Sequence, residues 1–433
     1  MKLVKNFVLA VAALSFATGA QAATINLYLT GSTAYRGATH NAIKNYGTGV
    51  ADAGTLQYGY IGTSFTGAGQ AIFTWTQAGG ADTYRVFTSW SGSEGGLQTV
   101  GDATKTVNFL PTSTPVSTGG TSGATTGTDA HHPDAAMSDT FQSSSAFYGT
   151  FQGVTYDTLT EATGTTGGLG VVPFKWCANK TSSVTAVTSQ LLRQLYSAGK
   201  VPLALFTGNS ADHTKPVLAL GRDPDSGTRL TAFADSGIGS LATVTQFQPQ
   251  DSTNTLVKLS SATIAKFVKW PQSTVNGIVY GVGNGGYSSG GDLSKAMAAS
   301  LAGTVTITPA GAGSPYSGAN ISIVGYLGTG DADSNLLNAG NPNLGIELSY
   351  NGTTLGNVGG DYNTVTALTE GKFSYWGYEH MYYNASTINP SSQTVADGIA
   401  TQLKTTDAVV KLASMAVKRD TDGSPVKNNY AAP

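Results

Sequence analysis

Apolar and polar positions alternate along this chain in short blocks. Ile25–Leu29 is a compact apolar run that ends in Thr30-Gly31-Ser32-Thr33, and a helical pattern continues to about Tyr46. Such a run bounded by Gly and Ser predicts a strand, a tight turn and then a helix. Leu56–Ile61 and Ala71–Trp75 read as a hairpin, and Tyr84–Trp90 as a further strand before Ser91-Gly92-Ser93-Glu94-Gly95-Gly96. Asp134–Met137, Val171–Trp176, Pro216–Leu220, Ile278–Val282 and Ile321–Tyr326 are the later strand candidates. Helical spacing marks Val187–Ser197, Thr228–Ala234, about Asp292–Leu301 and Val395–Ala416. Pro111–Asp129 is dominated by Thr, Ser and Gly, which predicts a mobile surface loop. The unit of strand, Gly/Ser-rich turn and helix recurs at Thr30, Ser91, Arg222 and Gly285. That recurrence predicts an α/β fold with mainly parallel sheets, whose ligands sit beyond the carboxyl ends of the strands.

The chain has 433 residues, enough for two or three domains with their own cores. Only 11% are charged, about half the usual share, so Ser, Thr, Asn, Gln and Gly must cover much of the surface. Lys and Arg number 23 against 25 Asp and Glu, with no basic run, so electrostatic binding to nucleic acid is not expected. The single cysteine, Cys177, excludes a disulfide scaffold and reads as a buried small apolar residue. The start of the chain adds a compartment. Lys2 and Lys5 precede the apolar stretch Phe7–Ala17, and Ala20-Gln21-Ala22 has the form of an A-x-A cleavage site. Residues 1–22 therefore read as a cleaved secretory signal peptide, with no cysteine at the cut to take a lipid. The mature chain would start at Ala23, with its net charge moving from −2 to −4, in the periplasm or outside the cell.

Gly/Ser turns at helix starts leave backbone N–H groups unpaired, and with the helix dipole these favour an oxyanion. The sharpest case is Arg222-Asp223-Pro224-Asp225-Ser226-Gly227-Thr228, an arginine four residues ahead of a Ser-Gly-Thr helix start. A guanidinium grips two oxygens of a tetrahedral anion while the helix start donates to the others.

These residues resemble the periplasmic phosphate-binding proteins of ABC transporters, the PstS type. Gly31-Ser32-Thr33-Ala34 resembles that family's first phosphate loop. Ser91–Gly96 resembles its G-S-x-G-G turn, Ser138-Asp139 its S-D pair, and Arg222–Thr228 its R-x-x-x-S-G-T element. Asp422-Gly423-Ser424-Pro425 resembles its C-terminus. Residue by residue, the resemblance implies that Thr33, Ala34, Ser93, Asp139, Arg222, Ser226, Gly227 and Thr228 contact phosphate. It implies a type 2 periplasmic-binding-protein fold, two α/β lobes with mixed central sheets around a ligand cleft. The crossings would fall near Val172–Lys175 and near Tyr326, giving residues 23–172 plus 327–433 as one lobe and 173–326 as the other. It further implies a monomer that hands inorganic phosphate to a membrane permease, with no cofactor, metal or catalysis. Ala34 stands where the family often has an aromatic, and the hairpin within 55–80 and the stretch 111–129 are additions to its pattern.

Asp139 bears on selectivity. A carboxylate beside a bound anion is repulsive unless the ligand donates a proton. Hydrogen phosphate has one to give and sulfate at neutral pH has none.

Two readings from other classes remain. Gly286-Tyr287-Ser288-Ser289-Gly290 fits G-x-S-x-G between a strand and a helix, with Asp331 or Asp333 and then His380 downstream. That order allows a secreted serine hydrolase using Ser288. A surface or adhesive protein built on a binding-protein fold is the other. His131, His132 and Asp134 are too closely spaced to chelate one ion well and read as a loop. The aromatic group Tyr375, Trp376, Tyr378, Tyr382 and Tyr383 reads as packing.

Overall fold

The computed structural model describes residues 22–123, 127–164, 168–309, 314–338 and 344–429. The expected leader 1–22 lies outside them except for Ala22, as do 124–126 within the Pro111–Asp129 stretch.

The chain is a mixed α/β structure organised on one 13-stranded sheet. Its principal elements, in chain order, are β1 (Thr24–Gly31), α1 (Arg36–Val50), β2 (Gln57–Ile61), β3 (Gln70–Thr76), β4 (Thr83–Ser89), α2 (Ser93–Gly101) and β5 (Ala135–Ser138). Then follow β6 (Gly170–Asn179), α3 (Ser189–Ala198), β7 (Pro216–Ala219), α4 (Gly227–Asp235), α5 (Gly290–Ala298), β8 (Ser322–Gly328), α6 (Thr329–Asn335), β9 (Trp376–Tyr383) and α7 (Pro390–Gln402). The long path of the sheet runs β7-β8-β6-β9-β5-β1-β4-β3-β2, with Lys200–Pro202 beside β7 and Thr121–Ser122 beside β2.

Strand β6 links the two ends of this sheet. Gly170–Pro173 pair with β9, and Phe174–Ala178 pair with β8. All ten of its residues are buried, as are all eight of β9 and all seven of β8. Strands covered on both faces read as continuous apolar runs, which is why β6 and β8 were expected from the sequence; β9, with Glu379 and His380 inside it, was not. The aromatic group packs here: Trp176 lies 5.5 Å from both Tyr326 and Tyr375, and Tyr375, Trp376, Tyr378, Tyr382 and Tyr383 are all core residues. Beneath the strand, the Lys175 ammonium is fully buried, 3.0 Å from both Asp333 and Glu347. Cys177 is buried.

Four expectations are corrected. The sheet is mixed and not mainly parallel: β1 is parallel to β4 and β5, and β7 to β8, but β6 and β9 run antiparallel to their neighbours. Ile278–Tyr280 is the expected strand, shortened, but it lies outside the large sheet: it closes a two-stranded ribbon with Ser273–Val275 around Asn276-Gly277, both at positive φ. The helix expected over Val395–Ala416 stops at Gln402 and widens into a π turn over Leu403–Asp407. Within Pro111–Asp129, Thr121–Ser122 extend the sheet beside β2, and Asp129 opens a strand paired with Val107–Phe109.

Candidate functional site

Strands β1, β4 and β5 are adjacent and parallel, so their carboxyl ends reach one edge of the sheet together. The turns leaving them are stitched to one another. Gly92 N–H donates to the Gly31 carbonyl and Ser32 N–H to the Met137 carbonyl, each at 2.8 Å. Strand β7, at the other end of the sheet, delivers the turn Arg222–Ser226 to the same place. There Glu94 N–H donates across to the Asp225 carbonyl at 2.9 Å. Gly92 makes this approach possible: its φ is +103°, and a Cβ would lie 2.3 Å from the Asp225 oxygen.

Asp139 sits at the centre and is 1% exposed. The Ser93 hydroxyl donates to one of its oxygens, and the Thr228 hydroxyl donates to the other at 3.1 Å. Gly227 presses against it so closely that a Cβ would fall 1.7 Å from Asp139 Oδ1. Ser226 caps α4, its hydroxyl oxygen accepting from Arg229 N–H at 3.2 Å. Arg222 is 2% exposed. Its Nε donates to the Tyr287 carbonyl at 3.0 Å, and its Nη2 donates to the Ser288 carbonyl at 2.9 Å and to Thr33 Oγ1 at 3.2 Å. Although Asp223 and Asp225 are its neighbours in sequence, Arg222 pairs with neither; backbone carbonyls and the Thr33 hydroxyl hold it instead. Thr33 and the half-buried Ala34 line a cleft of about 420 Å³. The candidate residues form two bonded groups, Thr33 with Arg222 and Ser93 with Asp139, Gly227 and Thr228, drawn from positions up to 195 apart in sequence, with Ser226 joining as the neighbour of Gly227. Ala34 joins them only as the neighbour of Thr33.

The electrostatics are those of a dry site. Burial raises the Asp139 carboxyl above its ordinary range, against the opposing pull of Ser93, Thr228 and Arg222. The sequence pattern did not single out the carboxylates around it. Glu94, next to Ser93, is buried, accepts from Thr140 Oγ1 at 2.9 Å and is pushed up to about 7 by burial. Burial also raises Asp225, reinforced by Asp223 and Glu94, while Asn276 donates to it at 2.6 Å. Glu379 on β9 is completely buried and raised by burial and by Asp139. Glu94 and Asp225 stood inside the quoted turns and were readable there. Glu379 carried no local signal, because only strand order places it near Asp139.

The acid and base partners that the serine-hydrolase reading needs are engaged elsewhere. Ser288 offers its carbonyl to Arg222, and the neighbouring Ser289 caps α5. His380 lies on β9, 3.1 Å from Glu161 and packed against Phe141. Asp333 pairs with Lys175, and Asp331 lies 3.9 Å from Arg36.

No protein-family model and no curated protein matches this sequence. Among solved structures, it is similar to a proposed phosphate ABC transporter substrate-binding protein with bound phosphate from Clostridium perfringens. The identity is 10%, covering 89% of this chain and 99% of that one, with a TM-score of 0.44. An ABC-type phosphate transport receptor from Vibrio cholerae is similar at 10% identity, over 87% and 96% of the chains, with a TM-score of 0.38. PstS from Borrelia burgdorferi is similar at 10% identity, over 87% and 92%, with a TM-score of 0.34.

Proposed function

We infer that this chain is a secreted solute-binding protein that captures hydrogen phosphate in the cradle around Asp139 and Arg222. The observation that carries this reading is the convergence of four separate turns on one buried point. The turns after β1 and β4 bring the Thr33 and Ser93 hydroxyls, the turn after β7 brings both the Arg222 guanidinium and the Ser226-Gly227-Thr228 helix start, and the turn after β5 brings the Asp139 carboxylate. Arg222 supplies positive charge in a dry site, where one charge-assisted hydrogen bond is worth about 1.5–3 kcal/mol. Asp139, as a carboxylate, needs one proton between itself and the anion, and hydrogen phosphate supplies it. Sulfate brings none.

The lobes in this reading are residues 23–172 plus 327–433 and residues 173–326. The change of partner within β6 at Pro173/Phe174, with Gly328 directly opposite Phe174, supports a hinge there. Contacts from both sides, such as Arg222 to Thr33, would be complete only in the closed form. The PstS-like turns and the leader 1–22 support a periplasmic or exported receptor, monomeric and unlipidated, that delivers phosphate to an ABC-transporter permease. No bond is made or broken in this role.

Equilibrium dialysis of anion-stripped protein against radiolabelled phosphate tests the reading. Retention that survives a large excess of sulfate and is lost in Arg222→Ala is expected. Failure of the wild type to retain phosphate would overturn it and leave the surface-protein alternative.

A further inference from the structure

The cradle is not closed on every side. Thr33 and Ala34 also line the cleft of about 420 Å³ between α1, the 63–67 loop, α5 and α6. At about 30 Å³ per water, this is room for roughly fourteen waters, far more than the few heavy atoms of an inorganic oxyanion need. The volume lies in the range of small-molecule sites. The cleft adjoins Arg222 itself: a Cβ built on Gly290 would lie 3.5 Å from Arg222 Nη1 and 2.2 Å from Asp331 Oδ2, so guanidinium and carboxylate face one point.

The walls are unusual for so large a space. They are glycines, hydroxyls, the Ala34 methyl, one amide and three charges, Arg36, Lys295 and Asp331, with no aromatic or large aliphatic side chain. Such a lining has nothing to offer a nucleobase or an acyl chain. Hydroxyl groups suit it: Asp331 accepts from them, and Arg36 and Lys295 donate to them.

We propose that the cleft holds the polyol or sugar portion of a phosphate monoester whose phosphoryl group occupies the cradle. This rests on the oxyanion reading of the cradle and widens its substrate class. A monoester keeps three free phosphoryl oxygens for Thr33, Arg222 and the α4 start, and turns its ester oxygen toward Thr33 and Ala34. Its second pKa lies at about 6, so only the monoanion, about a tenth of the ester at pH 7, carries the proton shared with Asp139, and monoester binding should tighten as pH falls toward 6. A diester in its ordinary anionic form has no such proton.

The test is calorimetric titration of the mature, anion-stripped protein with inorganic phosphate, glycerol 3-phosphate and dimethyl phosphate, in the wild type and in Ser334→Trp. Ser334 lines the cleft from α6, is exposed and lies outside the cradle. Glycerol 3-phosphate is expected to bind within tenfold of inorganic phosphate, with dimethyl phosphate silent. Ser334→Trp is expected to weaken glycerol 3-phosphate at least tenfold and leave inorganic phosphate within twofold. Ser64→Trp, from another wall, gives the same reading should Ser334→Trp fold poorly. If inorganic phosphate binds and glycerol 3-phosphate does not, this proposal falls and the oxyanion reading stands. The proposal also falls if both ligands bind and neither tryptophan discriminates between them. If no ligand binds, the oxyanion reading itself falls and takes this proposal with it.

Discussion

Replacing Asp139 by Asn keeps the shape of the side chain and removes its charge. In the wild type its two oxygens accept from Ser93 and Thr228, and the group is 1% exposed. An asparagine retains one acceptor oxygen and turns an NH2 toward the other hydroxyl, which must then rotate to accept. One charge-assisted hydrogen bond is lost, worth about 1.5–3 kcal/mol. Sulfate has the opposite ledger. It meets the wild-type carboxylate without a proton to share, whereas the NH2 of an asparagine donates to it directly. The variant should therefore bind phosphate more weakly and sulfate more tightly. A net change of about 1.4–2.7 kcal/mol in the difference corresponds to a roughly 10- to 100-fold fall in the phosphate-to-sulfate affinity ratio. Titration calorimetry of both anions against wild type and Asp139→Asn at pH 7 reads the ratio. A ratio unchanged within twofold, with the variant folded, would refute a direct role for Asp139 in discrimination.

Gly227→Ala places a methyl group on Asp139 Oδ1, so it should cost at least tenfold in phosphate affinity, read by the same titration. Lys175→Met strands Asp333 and Glu347 in the core beneath β6. A loss of about 3–5 kcal/mol of stability is expected in urea unfolding, and an unchanged midpoint would contradict it. Glu94 is raised from 4.5 to about 7, so the folded chain binds its proton more tightly than the unfolded chain does. Its contribution to stability is full below about pH 4.5 and falls as pH rises toward 7. Glu94→Gln should remove that slope, so melting temperatures of variant and wild type should diverge in the variant's favour from pH 5 to pH 8.

The cradle was legible because its information is local. Each quoted segment is two to seven residues long, and Gly, Ser, Thr and Arg announce their backbone and anion chemistry by identity alone. The buried strands β6 and β8 were legible as apolar runs, whereas β9, broken by Glu379 and His380, was read only as an aromatic packing group. What failed was pairing. The apolar run Ile278–Val282 looked like the others, yet Asn276-Gly277 ahead of it is a hairpin turn signal that folds it back on Ser273–Val275. The spacing of Leu412 and Met415 prolonged a helix that the π turn at Leu403–Asp407 had already ended, with no Gly or Pro to mark the stop. Thr121–Ser122 joins a sheet by backbone hydrogen bonds alone, which hydrophobic pattern does not record. The meeting of Arg36, Lys295 and Asp331 in one cleft depends on tertiary approach across nearly 300 positions.

The central claim is that the cradle around Asp139 and Arg222 is an anion site. Titration calorimetry of the mature, anion-stripped protein with phosphate, beside Arg222→Ala, tests it most directly. Saturable one-to-one phosphate binding in the wild type, weakened at least 100-fold in a folded Arg222→Ala, is the predicted result. Heats no different from dilution in the wild type, or equal binding by both proteins, would contradict it.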